Sequence, residues 1–497
     1  MMKFEALLKH IKENDWWTEE APAVLQLCIP FMKAFEKVGP FFGLKPWTVS
    51  LLVVKNGIIS EKTCVKEKTK MFYVFLRKYN NDKSFFKKKV KQWELLKKVL
   101  MEKCLFIENC DLKSQNNKQL WNLYEDLIDS IIKEFTPPIS AECCDMYTDK
   151  LIVEDFTRLT GLSQQASSKK LLILTSPAKH SFIETERLSF LKLCLLFLKS
   201  KGGKSASDKF NKELEKHANS FFWVRNNFKD THRITENEFL ELVKEEVKKR
   251  VKNDITNELK NLRSVKNRIK IQKKNLFSQL HLPGYYKRIL KFISFMAGWQ
   301  DERKKIVLIA NHYQNELLKE IGKRFGYTLY ETQSFLISDI ENLLTKKIKI
   351  SKNILRQRSK FSIYSTFPKS DTLLLGKKAK IIDSIFLRKS IIKEMKGFVA
   401  SGRGKISGIV SVINDPARDR FKKGNILVAP MTRPEYLPLM RQAKAIVTDE
   451  GGITTHAAVV SRELKIPCII GTKGASKILK NNDKIILDLS DGTINKV

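Results

Sequence analysis

Apolar residues recur at helical spacing through most of the first 366 residues. Between residues 21 and 38, for example, Val24, Cys28, Phe31 and Phe35 fall on one face of a predicted helix. The segment 281–284, His-Leu-Pro-Gly, separates two periodic stretches of about forty residues each. This pattern favours a long helical hairpin. Further helices are predicted at 83–105, 120–135, 184–199, 205–222, 236–282, 285–325, 330–344 and 351–364.

Short apolar runs bounded by turn residues indicate strands in a few places. Asn56-Gly57 between the runs 49–54 and 58–60 predicts a tight β-hairpin. The run 171–174 is predicted as a short strand inside a loop. After residue 396 the pattern changes to short strands and two helices, 436–442 and 456–464, which is typical of a compact β/β/α sandwich. Its strands are predicted near 397–400, 407–413, 426–429, 445–447, 468–470 and 484–488.

These patterns predict a multi-domain protein that is mainly α-helical until its C-terminal β/β/α domain. A mainly helical domain with a small β-hairpin is expected at 1–160, and a helical domain with the long hairpin at 161–366. The second domain is the expected place for substrate or partner docking. Residues 367–395 are predicted to form a linker or hinge, and 396–497 the last domain.

Composition describes a folded protein, with 42% hydrophobic and 29% charged residues. The start of the chain lacks an uninterrupted apolar segment, and the most apolar run, 188–198, is too short to span a bilayer. The eight cysteines show no paired metal-ligand spacing, so reduced thiols and no bound metal are expected. A cytoplasmic protein without a membrane association is therefore predicted.

The net charge of +38 raises the question of nucleic-acid binding. The excess consists mostly of lysines distributed along the whole chain and mixed with glutamates on helical faces. Solvated helix surfaces explain that distribution, so nucleic acid is not the expected partner. Nucleic-acid binding stays open as a third function.

The residues typical of chemistry gather near the end of the chain. A short strand, 445–447, leads to Gly451-Gly452, where the backbone can turn tightly and another molecule can approach. Thr454 or Thr455 can cap the helix that begins at His456. At a helix N-terminus the positive end of the dipole disfavours imidazolium, so a neutral, nucleophilic ring is expected. Such a ring can attack phosphorus, although a histidine that only caps its own helix is the alternative.

The segment from Gly451-Gly-Ile-Thr-Thr-His456-Ala-Ala to Pro467 and Gly471 resembles the phosphohistidine motif of the phosphoenolpyruvate-utilising enzymes. These include phosphoenolpyruvate synthase, pyruvate phosphate dikinase and rifampicin phosphotransferase. The preceding Leu427-Val-Ala-Pro-Met-Thr-Arg-Pro434 and the segment 396–410 fit the same mobile domain. The resemblance implies that His456 is the catalytic residue and is transiently phosphorylated. The residues expected to stabilise the phosphoryl group are Gly451, Gly452, Thr454, Thr455, Arg433 and Arg462.

Other polar and aromatic residues stand out in the helical region. This region loosely resembles the helical segment that precedes the phosphohistidine domain in synthase-like chains. The residues predicted to contact a substrate or partner are His217, Trp223, Arg225, Arg303 and Arg324. Packing at helix crossings and ordinary surface arginines are the alternative.

The resembling enzymes also need a nucleotide site, and this sequence has no glycine-rich phosphate loop in a strand–helix context. No cofactor is therefore expected on this chain, and ATP with Mg²⁺ is expected on a separate ATP-grasp partner. The predicted function is a phosphotransferase component, kinase-like or dikinase-like, with a small-molecule acceptor. A non-catalytic scaffold or regulatory protein with the same domain fold is the second function left open.

Overall fold

The computed structural model describes residues 2–45, 50–82, 84–144, 147, 151–200, 208–366, 371–389, 395–452 and 455–497. Within those ranges no helix combines the length and the apolar character needed to cross a bilayer. All eight cysteines are free thiols.

An antiparallel five-stranded sheet lies in the first part of the fold, in the order β1-β3-β2-β4-β5. Asn56 and Gly57, with φ of 51° and 81°, form the turn between β2 and β3, so the predicted hairpin is confirmed. The strands are β1 (Trp16–Pro22), β2 (Ser50–Lys55), β3 (Ile58–Cys64), β4 (Phe361–Ser365) and β5 (Thr372–Leu374). Helices α1 (Met2–Glu13) and α16 (Gly376–Lys389) pack on one face of this sheet.

A large helical body packs on the other face, around the 42-residue helix α12 (Gly284–Phe325). The other helices near the N-terminus are α2 (Leu25–Phe41), α3 (Val65–Asn81), α4 (Phe85–Glu108), α5 (Asn117–Phe135), the 3₁₀ helix Pro138–Cys144, α6 (Ile152–Thr160) and α7 (Gln164–Thr175). Those that follow are α8 (Phe182–Lys199), α9 (Asp208–Phe221), α10 (Glu236–Lys249), α11 (Lys252–Gln279), α13 (Leu329–Thr332), α14 (Ile337–Lys346) and α15 (Lys352–Lys360).

Most predicted helices are confirmed. The helix predicted at 236–282 is wrong in its length, because it is interrupted after residue 249 and forms α10 and the 28-residue α11. The long hairpin with two arms of about forty residues is therefore not formed, although α11 and α12 touch near their connection, where Lys273 donates to Ser294. The helix predicted at 330–344 is likewise divided into α13 and α14. The predicted strand at 171–174 is wrong, because Ser163 caps a helix there and Leu171 and Leu174 pack into the helical core. The predicted helix 351–364 ends at residue 360, and the following residues form β4 because β2 provides a pairing edge. Strand β1 was not predicted.

The C-terminal domain is built on a seven-stranded sheet in the order β12-β11-β7-β8-β9-β10-β6. The central strands β7 to β10 are parallel, and the outer strands are antiparallel. The strands are β6 (Phe398–Ser401), β7 (Lys405–Val412), β8 (Ile426–Ala429), β9 (Ala445–Thr448), β10 (Cys468–Ile470), β11 (Lys484–Asp488) and β12 (Thr493–Lys496). The helices are α17 (Leu437–Met440), α18 (His456–Glu463) and α19 (Ala475–Ile478). The predicted strands and both predicted helices are confirmed.

The first sheet crosses the expected domain boundaries. Strands β4 and β5, from residues 361–374, pair with the N-terminal hairpin although about 300 residues separate them from it. The boundaries at 160 and 366 therefore stay predictions. Part of the predicted hinge, residues 367–370 and 390–394, lies outside the described residues.

Candidate phosphoryl-carrier site

His456 begins α18 directly after a loop that leaves the carboxyl end of β9. Its ring is neither fully buried nor fully exposed, and its Nδ1 lies 3.0 Å from Oγ1 of Thr432. Thr432 is buried in the segment that follows β8, the neighbour of β9 in the sheet. The histidine and its hydroxyl partner thus lie together because both follow the carboxyl ends of adjacent parallel strands.

The imidazole of His456 is neutral near pH 7, as the sequence predicts. Burial is the main cause that lowers the pKa of His456, and together with the positive charge of Lys304 it brings this pKa to about 4. The principal cause of the lowered pKa is therefore burial, and not the helix field that the sequence suggested. The second cause, Lys304, belongs to α12 of the helical body. The ring keeps a lone pair available for bonding, since one nitrogen of a neutral imidazole is an acceptor.

The loop before His456 is held by the carboxylate of Asp449. This carboxylate accepts hydrogen bonds from the hydroxyl and the backbone N–H of Ser476 and from the Thr472 hydroxyl, the last two at 2.8 and 3.2 Å. The backbone N–H of Glu450 donates to the Pro430 carbonyl at 2.9 Å. These contacts tie the loop to two neighbouring segments and so define its course.

The glycine turn needs a glycine at one of its two positions. Gly451 has φ of 139°, and a Cβ there would lie 3.0 Å from Oγ1 of Thr455. Gly452 is buried, and its carbonyl accepts the Thr455 hydroxyl at 2.8 Å. The Thr455 hydroxyl is therefore occupied within the loop and makes no cap hydrogen bond. Thr454 lies outside the described residues.

The two arginines predicted to stabilise phosphate occupy different surroundings. Arg433 directly follows Thr432, and its Nε lies 3.3 Å from Sδ of Met431. Arg462 donates from Nε to the Ala400 carbonyl at 2.8 Å, which fastens α18 to β6. Arg433 therefore adjoins the hydroxyl partner of the histidine in the chain, whereas Arg462 is held by its hydrogen bond to β6.

The helical body meets the C-terminal domain beside this loop. The backbone N–H of Glu20, on edge strand β1, donates to a Glu450 carboxylate oxygen at 2.7 Å. The Glu20 carboxylate in turn accepts from Lys477 Nζ at 2.9 Å. Lys229 and Asp415 form a third contact at 2.9 Å, with both side chains nearly buried. The domain is therefore docked with His456 towards the helical body.

The five residues predicted to contact a substrate or partner are not gathered in one place. His217 is buried between Ser189, Glu186 and Phe239, and Trp223 packs on Phe182. Arg225 is exposed, and Arg324 is held by Glu320 and by backbone carbonyls of residues 112, 113 and 115.

Arg303 lies in a different environment. It forms a buried ion pair with Glu142. Its positive charge also acts to lower the pKa of Glu61 on β3, against the stronger effect of burial. Sequence reasoning missed Lys304 and the role of Thr432 beside His456. Lys304 is one of 92 lysines and arginines, so no local pattern could single it out.

One other group has metal-ligand donors close together. Ligand atoms of His10, Cys64 and Glu67 lie within 4.8 Å of one another. Cys64 is the N-cap residue of α3 and Glu67 its third helical residue, which is the spacing of helix capping. Cys64 makes no side-chain cap hydrogen bond, so the proximity of the cysteine and the glutamate follows from their positions in the first turn of α3.

The C-terminal domain combines a glycine turn and a helix-opening histidine with a sheet whose central strands are parallel. Residues 421–492 match the sequence profile of the family described as PEP-utilising enzyme, mobile domain. The resemblance expected from the motif is therefore confirmed for this part of the chain.

Two of the relatives of this domain are named as phosphoenolpyruvate synthases, and a third is named as a phosphotransferase. A phosphoenolpyruvate synthase of Pyrococcus furiosus is 50% identical over 103 residues, which are 20% of this chain and 12% of that protein. A probable phosphoenolpyruvate synthase of Staphylothermus marinus is 42% identical over 121 residues, 24% of this chain and 14% of that protein. An uncharacterized phosphotransferase, YvkC, of Bacillus subtilis is 41% identical over 100 residues, 20% of this chain and 12% of that protein. The chain thus spans 12 to 14% of the length of these relatives.

Proposed function

We propose that the chain is a phosphotransferase component in which His456 carries a phosphoryl group from a donor to an acceptor. The observation that supports this most strongly is the 3.0 Å contact between Nδ1 of His456 and the Thr432 hydroxyl. When Nδ1–H donates to Thr432, the lone pair of Nε2 is the free nucleophile. This tautomer leaves Nε2 as the atom that is phosphorylated.

The surrounding groups suit a carrier that must hold and then release an anion. When Nε2 attacks the phosphorus of the donor, the bond from phosphorus to the leaving oxygen of the donor breaks and its electron pair stays with that oxygen. The product is a phosphorylated imidazolium ring, whose Nδ1–H remains bonded to the Thr432 oxygen. The helix start, the Gly451–Gly452 turn and the neighbouring Arg433 supply donors and positive charge for the phosphoryl oxygens. In this proposal Thr455 holds the turn through its bond to the Gly452 carbonyl, and Arg462 acts by positioning α18. A phosphate-stabilising role of Thr454 stays a prediction.

We further propose that a separate ATP-grasp protein charges His456 with ATP and Mg²⁺, since the similarity to the synthases covers the carrier domain. The domain would then move between the partner and the docked position, because one ring nitrogen cannot occupy two sites at once. Phosphoenolpyruvate is the alternative donor, and a small molecule is the acceptor.

The test is radiolabelling from γ- and β-labelled ATP and from labelled phosphoenolpyruvate, with and without extract of the source cell. Acid-labile, alkali-stable label is expected on the wild type and not on the His456→Ala variant. Label that depends on the extract supports a separate charging partner. Label that persists in His456→Ala, or a wild type that stays unlabelled under every condition, contradicts the carrier function and favours a scaffold.

A further inference from the structure

We propose that His10, Cys64 and Glu67 bind a zinc ion, which fastens the N-terminal helix α1 to the start of α3. Ligand atoms of these three side chains lie within 4.8 Å of one another. Together the side chains offer a ring nitrogen, a sulfur and a carboxylate oxygen. The inference concerns a part of the fold outside the C-terminal domain, and it does not depend on the carrier function proposed above.

The spacing along the sequence explains the proximity of only two of the three donors. Cys64 ends β3 and directly precedes α3, and Glu67 lies in the first turn of this helix, so the two are neighbours at i, i+3 spacing. His10 comes from the last turn of α1, 54 positions before Cys64 in the sequence. The histidine therefore reaches the other two donors through tertiary packing.

Strand β1 holds the imidazole of His10 beside Cys64. Trp16, the first residue of β1, is directly paired with Cys64 in the antiparallel register. The Trp16 ring meets the His10 ring edge-on, with 5.7 Å between the ring centroids. The backbone N–H of Val65 also donates to the Asp15 carbonyl at 2.9 Å. The end of α1 and the start of α3 are thus held near each other by contacts of the protein itself.

The types of donor atom favour zinc over the other common divalent ions. Ca²⁺ and Mg²⁺ prefer oxygen ligands, whereas Zn²⁺ accepts sulfur, nitrogen and carboxylate oxygen in one tetrahedral site. Metal–ligand distances of about 2.0–2.3 Å place the ligand atoms of such a site roughly 3.3–3.6 Å apart. Small side-chain rotations within the 4.8 Å cluster would reach this spacing. Water would take the fourth position, as it does in zinc sites with three protein ligands.

The burial of the three side chains gives an ion access to the cluster from one side. Cys64 is 1% exposed, whereas His10 and Glu67 are half-buried. An ion can therefore approach from the side of the histidine and the glutamate and bind the sulfur at the inner end of the cluster. Zinc binds the thiolate form, so the thiol proton of Cys64 passes to solvent as the bond between zinc and sulfur forms.

This zinc site differs from the expectation that the chain binds no metal. That expectation rested on the absence of cysteine pairs at ligand spacing, and the proposed site needs only one cysteine. Bound zinc would link α1 to α3 in the folded chain. Because a ligand that binds only the folded state stabilises it, zinc should raise the temperature of unfolding.

The test uses the untagged full chain, freed of metals with a chelator and kept in its reduced form, to which Zn²⁺ or Co²⁺ is added. The wild type should bind about one ion per chain, and with Co²⁺ it should show the sulfur-to-metal charge-transfer absorption of a thiolate ligand. Zn²⁺ should raise its temperature of unfolding. Cys64→Ser should weaken zinc binding by at least about 10²-fold, since even the loss of an outer-shell partner costs about 10- to 100-fold.

The matched control is Cys110→Ser, which removes a half-buried thiol after the end of α4. This variant should bind Zn²⁺ and Co²⁺ as the wild type does. Glu67→Gln keeps the shape of a half-buried side chain, so it supplies a second test if Cys64→Ser does not fold. A wild type without the charge-transfer absorption overturns the proposal, and so does wild-type zinc affinity in a folded Cys64→Ser or Glu67→Gln variant.

Discussion

The ring of His456 is uncharged near pH 7, and two features maintain that state. Partial burial removes water that would solvate imidazolium, and Lys304 adds a repelling charge from the helical body. The ring should therefore remain a nucleophile at acidic pH values where an exposed histidine, with a pKa near 6.5, is already protonated.

Replacing Lys304 with methionine tests the contribution from the helical body. Removal of a positive charge favours imidazolium, so the pKa of His456 should rise by about half a unit from its value of about 4. The measurement is an NMR titration of the histidine ring protons, with Lys305→Met as the neighbouring control. An unchanged His456 titration in Lys304→Met would mean that the domain does not dock beside α12 in solution.

The loop between β9 and α18 is the element that presents the histidine. Strand β9 is fully buried, and Asp449 fastens the residues that follow it to Ser476 and Thr472. The loop can therefore turn sharply at Gly451 without losing its position. Its partner element is edge strand β1, whose Glu20 N–H binds the loop residue Glu450.

Gly451→Ala should distort this loop. The backbone φ of 139° disfavours an L side chain, and the new Cβ would lie 3.0 Å from Oγ1 of Thr455. We expect a loss of stability of about 1–3 kcal/mol and a loss of chemical phosphorylation at His456. Thermal unfolding and peptide mass spectrometry measure the two effects.

Gly424→Ala is the matched control for this substitution. Gly424 also has positive φ, 85°, but a Cβ there would meet nothing within 4 Å. Its variant should lose about 1 kcal/mol and keep full phosphorylation of His456. Equal phosphorylation in both variants would show that the shape of the Gly451 turn is not needed.

Polar contacts and an apolar contact join the two parts of the molecule. The nearly buried pair between Lys229 and Asp415 joins the helical body to the C-terminal domain, as do the contacts of Glu20 with Glu450 and Lys477. Phe398 of β6 also packs against the core of the helical body. The ion pairs can be exchanged for water when the domain leaves.

Lys229→Glu should release the C-terminal domain from this position. The substitution places two like charges in a poorly solvated contact, which typically costs several kcal/mol. We expect a larger radius of gyration by small-angle scattering and faster hydrogen exchange at the Glu20 amide. Lys423→Glu makes the same charge change at an exposed position of the domain and should have neither effect. A compact Lys229→Glu variant would contradict a docking role for this pair.

The spacing of residues that are close in the sequence was sufficient to predict many of the structural elements of this protein. The helical periodicity predicted α12, the Asn56-Gly57 pair predicted a hairpin, and the motif around His456 identified the mobile domain, because each signal lies within a few adjacent residues. The prediction of a strand at 171–174 was wrong because a short apolar run is compatible with either a buried strand or a buried helix. Only packing in the folded chain decides between the two.

The neighbours of His456 could be identified only from the folded chain. Lys304 is 152 positions away from it in the sequence, and lysine is a common residue type in a chain with 92 basic and 54 acidic residues. Charge acts through space, so the chemistry of these groups depends on which side chains the fold brings near them and how much water it leaves. The sequence determined which residue could carry a phosphoryl group, and the packing of two distant parts of the chain determined what that residue faces.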